Sequence, residues 1–314
     1  MRRQRMFRKI KDPLPAKSRE EMPHAKLNMK YKDWINTHKK RHTWRIRRWT
    51  VLLFLNILFT LSFMFDLALL EGSLSGSRLL GFYLIDPYMA FQLFFISLKT
   101  DYLPHITMNF IIGLTTVLLF YLLMGGRTFC SWLCPYHFLA EWAEKLHNYL
   151  IKKKKIKEHV FQLGIRYVFW VGFLIIAFIT ERLIFETFNP VGMLSRILIY
   201  GPGLILIWIF ILITFEIVYS KRFWCRYVCP VGSTWSLVGK ISPMAIKFET
   251  DKCGHCRICH DACLTPHELW FVTKGKATDK IHHAGGDCTR CGNCVDICPG
   301  NALTYTFKGL DKII

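Results

Sequence analysis

Eight cysteines near the C-terminus repeat one spacing twice, and this spacing restricts the fold more than any other feature of the chain. The stretches "CGHCRICHDAC" and "CTRCGNCVDICPG" each contain C-x2-C-x2-C-x3-C. In proteins with two [4Fe-4S] clusters, three thiolates of such a run bind one cluster and the fourth binds the other. The predicted ligand sets are Cys253, Cys256, Cys259 and Cys298 for one cluster, and Cys288, Cys291, Cys294 and Cys263 for the other.

A zinc ribbon is the competing explanation, because pairs of cysteines two residues apart also occur there. A ribbon needs two cysteines per knuckle, so it leaves the third and fourth cysteine of each run unexplained. Crossed ligation by soft thiolates would instead tie the two runs into one small domain. We therefore predict an α+β two-[4Fe-4S] ferredoxin-like domain over residues 246–314.

Four apolar segments upstream of this domain have the length that a transmembrane helix needs, roughly 20 residues. The chain combines 52% hydrophobic residues with a formal net charge of +20, which is unusual for a soluble domain. The predicted spans cover residues 49–70, 105–124, 165–185 and 203–219. The expected architecture of residues 48–245 is an all-α membrane domain of four transmembrane helices, arranged as two repeated hairpins.

Basic residues are distributed unevenly around these segments. Seventeen Lys and Arg precede Trp49, and further basic residues lie at 152–155, Lys221 and Arg222. The two remaining loops contain few. The positive-inside rule then predicts a multi-pass membrane protein with both termini in the cytoplasm. Residues 1–47 are expected to form a basic arm near anionic headgroups, with no nucleic-acid partner.

A second pair of cysteine motifs indicates an internal repeat. "RTFCSWLCPYHF" contains Cys130 and Cys134, and "RFWCRYVCPVGS" contains Cys225 and Cys229, 95 positions later. Each motif follows an earlier landmark, Asp86-Pro87 in the first half and Asn189-Pro190 in the second. The shared order predicts a duplicated unit that brings both C-x3-C-P motifs to one face.

The role of these four thiols stays open at the level of sequence. A proline suits the first turn of a helix, so Cys134 and Cys229 should lie at helix N-termini, where the dipole favours a thiolate. The thiols could bind a metal or a further cluster, react as a redox pair, or simply pack. Two pairs brought together by the repeat could complete a four-thiolate site.

Ionisable residues inside apolar segments are costly, and they are therefore candidates for a functional site. Four of them could frame a quinone head group: Asp66, Asp86, Glu181 and Arg182. Glu181 and Arg182 could equally form an ordinary pair at the membrane interface. Glu216 is expected to reach water at the end of its helix.

From Arg45 onwards the chain resembles the NapH family, which are membrane ferredoxin-type quinol dehydrogenase components associated with periplasmic nitrate reduction. The resemblance rests on "DPYMAFQ", "FCSWLCP", "IRYV", "NPVGML", "CRYVCPVG", "CLTPHE" and "CGNCVDIC". It implies oxidation of quinol and electron transfer to a periplasmic reductase system through a ferredoxin-like or cytochrome subunit. The long basic arm departs from the family.

Related proteins named NosR, MauN and CcoG have a similar core, and they widen the range of functions. The CcoG resemblance implies an alternative in which the C-x3-C-P thiols handle copper or another metal during cofactor assembly. Redox sensing, with cluster loss changing the contacts of the basic arm, is a third hypothesis.

Overall fold

Residues 1–42 of the basic arm and Asp66 lie outside the part of the chain that the structure describes, and residues 43–47 belong to the first helix. The computed structural model describes residues 43–65, 70–73, 76–79, 82–99, 108–201, 203–254, 256–273, 277 and 279–309. Helices make up most of the described chain up to residue 241, and short strands and helices alternate after it.

The helices of the first part and the strands that precede α2 are, in chain order, α1 (Thr43–Met64), β1 (Leu70–Ser73), β2 (Gly76–Leu79), β3 (Phe82–Ile85), α2 (Pro87–Ser97), α3 (Met108–Met124), α4 (Thr128–Trp132), α5 (Pro135–Lys152), α6 (Ile165–Thr180), α7 (Ile184–Phe188), α8 (Pro190–Tyr200), α9 (Ile205–Val218), a π-helical turn (Trp224–Val228) and α10 (Pro230–Ile241). The C-terminal part contains β4 (Met244–Glu249), α11 (Ile258–Ala262), β5 (Ile281–His283), α12 (Asn293–Ile297) and β6 (Leu303–Phe307), with 3-10 turns at Thr250–Lys252 and Pro266–Val272.

The prediction of a four-helix transmembrane domain is wrong. Among the described residues, no helix is both long enough and apolar enough to cross a bilayer. Helices α3, α6 and α9 contain 17, 16 and 14 residues. At 1.5 Å per residue they extend roughly 21–26 Å, which is less than the ~30 Å of a hydrocarbon core.

Helix α1 is longer, with 22 residues, but three arginines lie in its first two turns and shorten its apolar stretch. The segment is also not all-α. Strands β1, β2 and β3 form an antiparallel sheet in that order immediately before α2.

The landmarks of the sequence repeat mark the points where four helices begin. Helices α2 and α8 each have 11 residues and begin at the proline that follows Asp86 or Asn189. The Asp86 carboxylate accepts a hydrogen bond from Tyr88 N at 2.7 Å, and Asn189 Oδ1 accepts one from Val191 N at 3.1 Å. Such caps satisfy N–H groups that have no partner inside the helix.

Helices α5 and α10 begin in the same way, with Cys134 and Cys229 as their N-cap residues and a proline at the first helical position. The helices of the repeat pack around an aromatic core that includes Tyr88, Tyr136 and Trp235. Gly126 has φ +62° and lies so close to the α10 backbone that a Cβ atom there would be 2.4 Å from the Trp235 carbonyl oxygen.

The C-terminal part forms a separate core under an antiparallel sheet with strand order β5-β4-β6. It is joined to α1 at the helix N-terminus. The Asp296 carboxylate accepts hydrogen bonds from Trp44 N at 3.0 Å and Arg45 N at 3.2 Å, and the Trp44 ring packs on Tyr305 with centroids 4.4 Å apart. Asp296 therefore acts as a cap for a helix more than two hundred residues earlier in the chain.

Candidate metal centres

The first predicted ligand set surrounds one small cavity of the C-terminal part. Its four cysteines all line a space of about 20 Å³, beside Pro299 and Gly300. Cys298 Sγ accepts a hydrogen bond from Ala302 N at 3.3 Å, a contact that would help to stabilise a thiolate. The donor set and the space between the sulfur atoms fit an iron-sulfur cluster bound by Cys253, Cys256, Cys259 and Cys298.

The second predicted set is grouped in the crossed manner that the spacing implies. The thiol of Cys263, which follows α11, lies next to Cys291 and Cys288, and Cys294 lies in the same group. Burial raises the pKa of the Cys263 and Cys294 thiols, so these groups would be costly as free thiolates. Four soft sulfur donors at one buried position fit an iron-sulfur cluster, because the thiols would lose their protons when they bind iron.

The duplicated C-x3-C-P motifs meet at a third position. Cys130 on α4, Cys225 on the π-helical turn, and the N-cap residues Cys134 and Cys229 line one cavity of about 50 Å³. We call it the four-thiol cavity. The repeat therefore places the four cysteines together, which the spacing alone could only suggest.

Burial outweighs the helix dipole in setting the state of these thiols. The sequence suggests a thiolate at Cys134, but burial and the neighbouring Cys130 raise the pKa of the Cys134 thiol. Burial likewise raises the pKa of Cys229 to about 12, and that of Cys130 although Arg127 opposes the change. This environment disfavours free thiolates, and therefore an easily ionised redox pair. A bound metal would displace the protons of the four thiols.

An arginine lies three residues before the first cysteine of each motif, and both arginines line the four-thiol cavity. Arg127 donates to Asp287 Oδ1 at 3.1 Å and to the Cys225 carbonyl oxygen at 3.2 Å. Arg222 forms an ion pair with Glu144, and its Nη1 lies 3.3 Å from His137 Nδ1. Neither arginine was predicted as a site residue, although each of the two repeated motifs begins with one.

Asp287 connects the four-thiol cavity to the second ligand set, because it directly precedes Cys288. Its carboxylate accepts hydrogen bonds from Arg166 at 2.6 Å and from Arg127, and it lies 3.1 Å from His267 Nε2. Although burial opposes ionisation, these groups hold the pKa of Asp287 well below its usual range. Arg166 could have been recognised as a site residue from the sequence, because it is a charged residue at the start of an apolar helix. No local pattern indicated Asp287.

The candidates for a quinone site do not come together among the described residues. Asp86 is buried at the N-terminus of α2, and burial together with Glu186 raises its pKa to about 8. Glu181 is exposed and pairs with Lys99 at 2.7 Å, just beyond the opposite end of α2. Arg182 is also exposed, and Asp66 is outside the described residues.

Glu216 was expected to reach water, and this expectation is wrong. The residue is fully buried on α9, where its carboxylate accepts a hydrogen bond from Trp224 N at 3.1 Å. Burial raises its pKa to about 7 despite that hydrogen bond. Its charge also acts on the Cys225 thiol, so it lies beside the four-thiol cavity.

Comparisons with protein families match both cysteine regions. A family described as "4Fe-4S dicluster domain" matches residues 252–302. A second family, described as "4Fe-4S binding domain", matches twice, at residues 106–157 and 200–249. The two matches of one family include the two C-x3-C-P motifs and support the duplication. Together with the grouped cysteines, they define an iron-sulfur electron-transfer protein of the ferredoxin type.

Full-length relatives make the assignment more specific. The chain is 31% identical over 280 residues to "Ferredoxin-type protein NapH" of Escherichia coli, covering 86% of this chain and 93% of the relative. It is 31% identical over 282 residues to "Methylamine utilization ferredoxin-type protein MauN" of Methylorubrum extorquens, covering 88% and 92%. The chain belongs to this family of NapH and MauN ferredoxin-type proteins, which confirms the resemblance seen in the sequence. No solved structure matches the chain.

Proposed function

We propose that this protein oxidises quinol and passes the electrons through its iron-sulfur clusters to a ferredoxin-like or cytochrome subunit of a periplasmic reductase system. One observation carries the proposal beyond family membership. Leu264 and Thr289 directly follow Cys263 and Cys288 of the second ligand set, and both line the four-thiol cavity together with Thr265. The four-thiol cavity and the second ligand set are therefore direct neighbours.

Quinol oxidation releases protons as well as electrons, and two buried carboxyl groups could receive them. Asp86 acts electrostatically on the Cys229 thiol, and Glu216 on the Cys225 thiol, so both carboxyl groups lie beside the second C-x3-C-P motif. Asp86 Oδ2 is buried and accepts no hydrogen bond within the described chain, whereas the Glu216 carboxylate has Tyr136 and Trp224 N as partners. An unpartnered buried carboxyl oxygen is costly, which is consistent with a group that binds and releases a proton.

The clusters, when bound, supply one-electron acceptors; the chain itself provides their ligands and their surroundings. Buried thiols and apolar side chains keep water away from both regions, and Arg127 and Asp287 fix the C-terminal part against the repeat. The buried Arg127–Asp287 ion pair thus connects the two cysteine regions.

We further propose that the protein works at the bacterial inner membrane, because quinol is dissolved in lipid. Large apolar side chains are exposed on α3, α6 and α9, among them Leu119, Ile179 and Phe210. Many exposed apolar side chains of this kind are consistent with an interaction surface. Cell fractionation tests the location: recovery of the full chain in the membrane fraction after a salt wash supports it, and recovery in the soluble fraction contradicts it.

The quinol reaction can be tested on the anaerobically purified protein with its clusters. Addition of a reduced quinol should bleach the cluster absorbance and produce the paramagnetic signals of reduced clusters. The Asp86→Asn variant keeps the cap of α2, since asparagine is also a good N-cap residue, but cannot take up a proton. We expect about 10²-fold slower reduction by quinol in this variant, the loss typical when a general base is removed.

Dithionite is the matched control, because it reduces the clusters without quinol chemistry. Wild type and Asp86→Asn should respond to dithionite equally. Clusters that stay oxidised with quinol and an oxidised partner subunit present, but become reduced with dithionite, would contradict the proposed function.

A further inference from the structure

Arg127 is a buried charge that touches two cysteine sites at once. It lines the four-thiol cavity, where its Nη2 donates to the Cys225 carbonyl oxygen at 3.2 Å. Its Nη1 donates to Asp287 Oδ1 at 3.1 Å, and Asp287 directly precedes Cys288 of the second ligand set. The Arg127 side chain is only 5% exposed, so solvent and salt screen its charge little. One guanidinium group therefore lies between the two sites.

At the four-thiol cavity the Arg127 charge acts directly. Burial raises the pKa of the Cys130 thiol, and the nearby charge of Arg127 opposes that rise. The same attraction would stabilise the reduced, more negative state of an iron-sulfur cluster bound by these thiols. Cluster potentials depend on nearby charge and on hydrogen bonds. Loss of the Arg127 charge should therefore lower the reduction potential at this cavity.

At the second ligand set Arg127 acts through Asp287. A carboxylate next to a cluster ligand disfavours the addition of an electron, because the reduced cluster carries more negative charge. Arg127 offsets the charge of Asp287, and Arg166 also donates to that carboxylate at 2.6 Å. Without Arg127, the surroundings of Cys288 would become more negative by one charge. The reduction potential of the second set should then fall as well.

Arg222 provides a comparison within the same molecule. It occupies the equivalent position of the second motif and also lines the four-thiol cavity. Its side chain, however, pairs with Glu144 and lies against His137, and both of these residues belong to α5. Loss of the Arg222 charge should therefore affect the four-thiol cavity and leave the second ligand set nearly unchanged.

We propose that Arg127 is a positioning residue for electron transfer, which raises the reduction potentials of the four-thiol cavity and of the second ligand set together. The step that it adjusts is the transfer of one electron from a cluster at one site to a cluster at the other, and no bond to Arg127 forms or breaks. Since both potentials move in the same direction, the driving force between the two sites stays nearly constant. The proposal rests on the part of the proposed function in which electrons pass through the clusters, and it does not require quinol as the donor.

A redox titration of the anaerobically purified full chain, followed by electron paramagnetic resonance, tests this proposal. The midpoint that disappears in the Cys130→Ala/Cys225→Ala variant belongs to the four-thiol cavity. We expect Arg127→Met to lower this midpoint and one other, each by about tenfold in the equilibrium constant, which is about 59 mV for one electron. Arg222→Met should lower the first midpoint alone. The proposal would be overturned if no midpoint disappears, if Arg127→Met shifts fewer than two, or if both arginine variants shift the same two.

Two further variants separate the charge of Arg127 from its packing. Arg127→Lys keeps the charge, so both midpoints should stay closer to those of the wild type than in Arg127→Met; equal shifts in the two variants would contradict an electrostatic role. Arg127→Met/Asp287→Asn removes both charges of the pair, which costs less stability than leaving one of them alone.

In this double variant the second midpoint should return to within a few millivolts of the wild type, while the midpoint of the four-thiol cavity stays low. A second midpoint that remains lowered would show that Arg127 does not act through Asp287. Because dithionite supplies the electrons in these titrations, a failure of quinol oxidation would leave the results unchanged.

Discussion

In the first half of the repeat, Arg127 extends out of its own unit and binds Asp287, next to a ligand of the C-terminal part. In the second half, Arg222 occupies the same position relative to its cysteines but pairs with Glu144 on α5 of the first half. Helices α5 and α10, which follow the two motifs, both begin at a proline after an N-cap cysteine. A duplicated element can thus keep its thiols and caps while its two arginines take different roles. Arg127 binds the ferredoxin-like part, and Arg222 connects the two halves of the repeat.

The equivalent turns before the cysteines differ in a second respect. Gly126 lies against the backbone of α10, whereas Lys221, which precedes Arg222 as Gly126 precedes Arg127, is partly exposed and pairs with Glu158 at 3.0 Å. The first turn is therefore an internal contact between the two halves, and the second turn is closer to the surface.

The largest expected effect separates the two arginines. Arg127→Met leaves the buried Asp287 with fewer cationic partners, and we expect the free energy of unfolding to fall by about 3–5 kcal/mol, as for other broken buried ion pairs. Arg222→Met should cost less, because the Glu144 side chain is 19% exposed and water can hydrate it. Urea unfolding of both variants measures the difference. Equal losses would show that the two arginines are equivalent after all.

A smaller effect is expected at the glycine turn. Gly126→Ala would place a Cβ atom 2.6 Å from Gly239 Cα, in a left-handed backbone conformation that alanine adopts poorly. The expected loss is about 1–3 kcal/mol from overpacking. Lys221→Ala is the control at the equivalent position and should cost about 1 kcal/mol or less, since it removes an exposed ion pair. Thermal unfolding of the two variants gives the comparison.

The two cap residues provide a test that depends on pH, because one ionises and the other does not. The pKa of Asp86 is raised from 3.8 to about 8 in the folded chain, so the folded state holds a proton that the unfolded state has lost across this range. Stability should therefore fall as the pH rises from about 4 to about 8, by at most about 1.4 kcal/mol per unit from this group. Asp86→Asn should flatten that slope.

The reverse substitution adds a control in the other half. Asn189→Asp introduces a carboxylate close to Glu186, whose oxygens lie 3.4 and 3.5 Å from Asn189 Nδ2. It should steepen the pH dependence of unfolding. A slope that is the same in wild type, Asp86→Asn and Asn189→Asp would mean that neither cap position is linked to pH.

The features that the sequence predicts well are those fixed by local chemistry. The starts of α5 and α10 follow from a cysteine before a proline, and the crossed ligation of the clusters stays a prediction from a spacing of a few residues. The starts of α2 and α8 were not predicted, although the same pattern of a capping residue before a proline marks them. The spans were predicted less well, because an apolar run is not the same as a continuous helix. Gly125-Gly126 ends α3, and Glu181, with φ +56°, ends α6.

Other features depend on contacts between distant parts of the chain, and no local pattern contains them. The Arg127–Asp287 pair joins residues 160 positions apart. The β1–β3 sheet was also missed, since its strands have four residues each and lie in a stretch rich in glycine and serine that is typical of a loop. The four-thiol cavity is intermediate: the repeat suggested that the cysteines meet, and only the fold shows the donors around them.

The cap that Asp296 places on α1 has a consequence for how the molecule assembles. Asp296 lies between Cys294 and Cys298, so the segment that would wrap around both clusters also anchors the first turn of the first helix. Binding of the clusters would order this segment and, with it, the cap of α1. Cluster binding and the start of α1 would thus be coupled. In a chain made without iron, the first helix would be left without its cap.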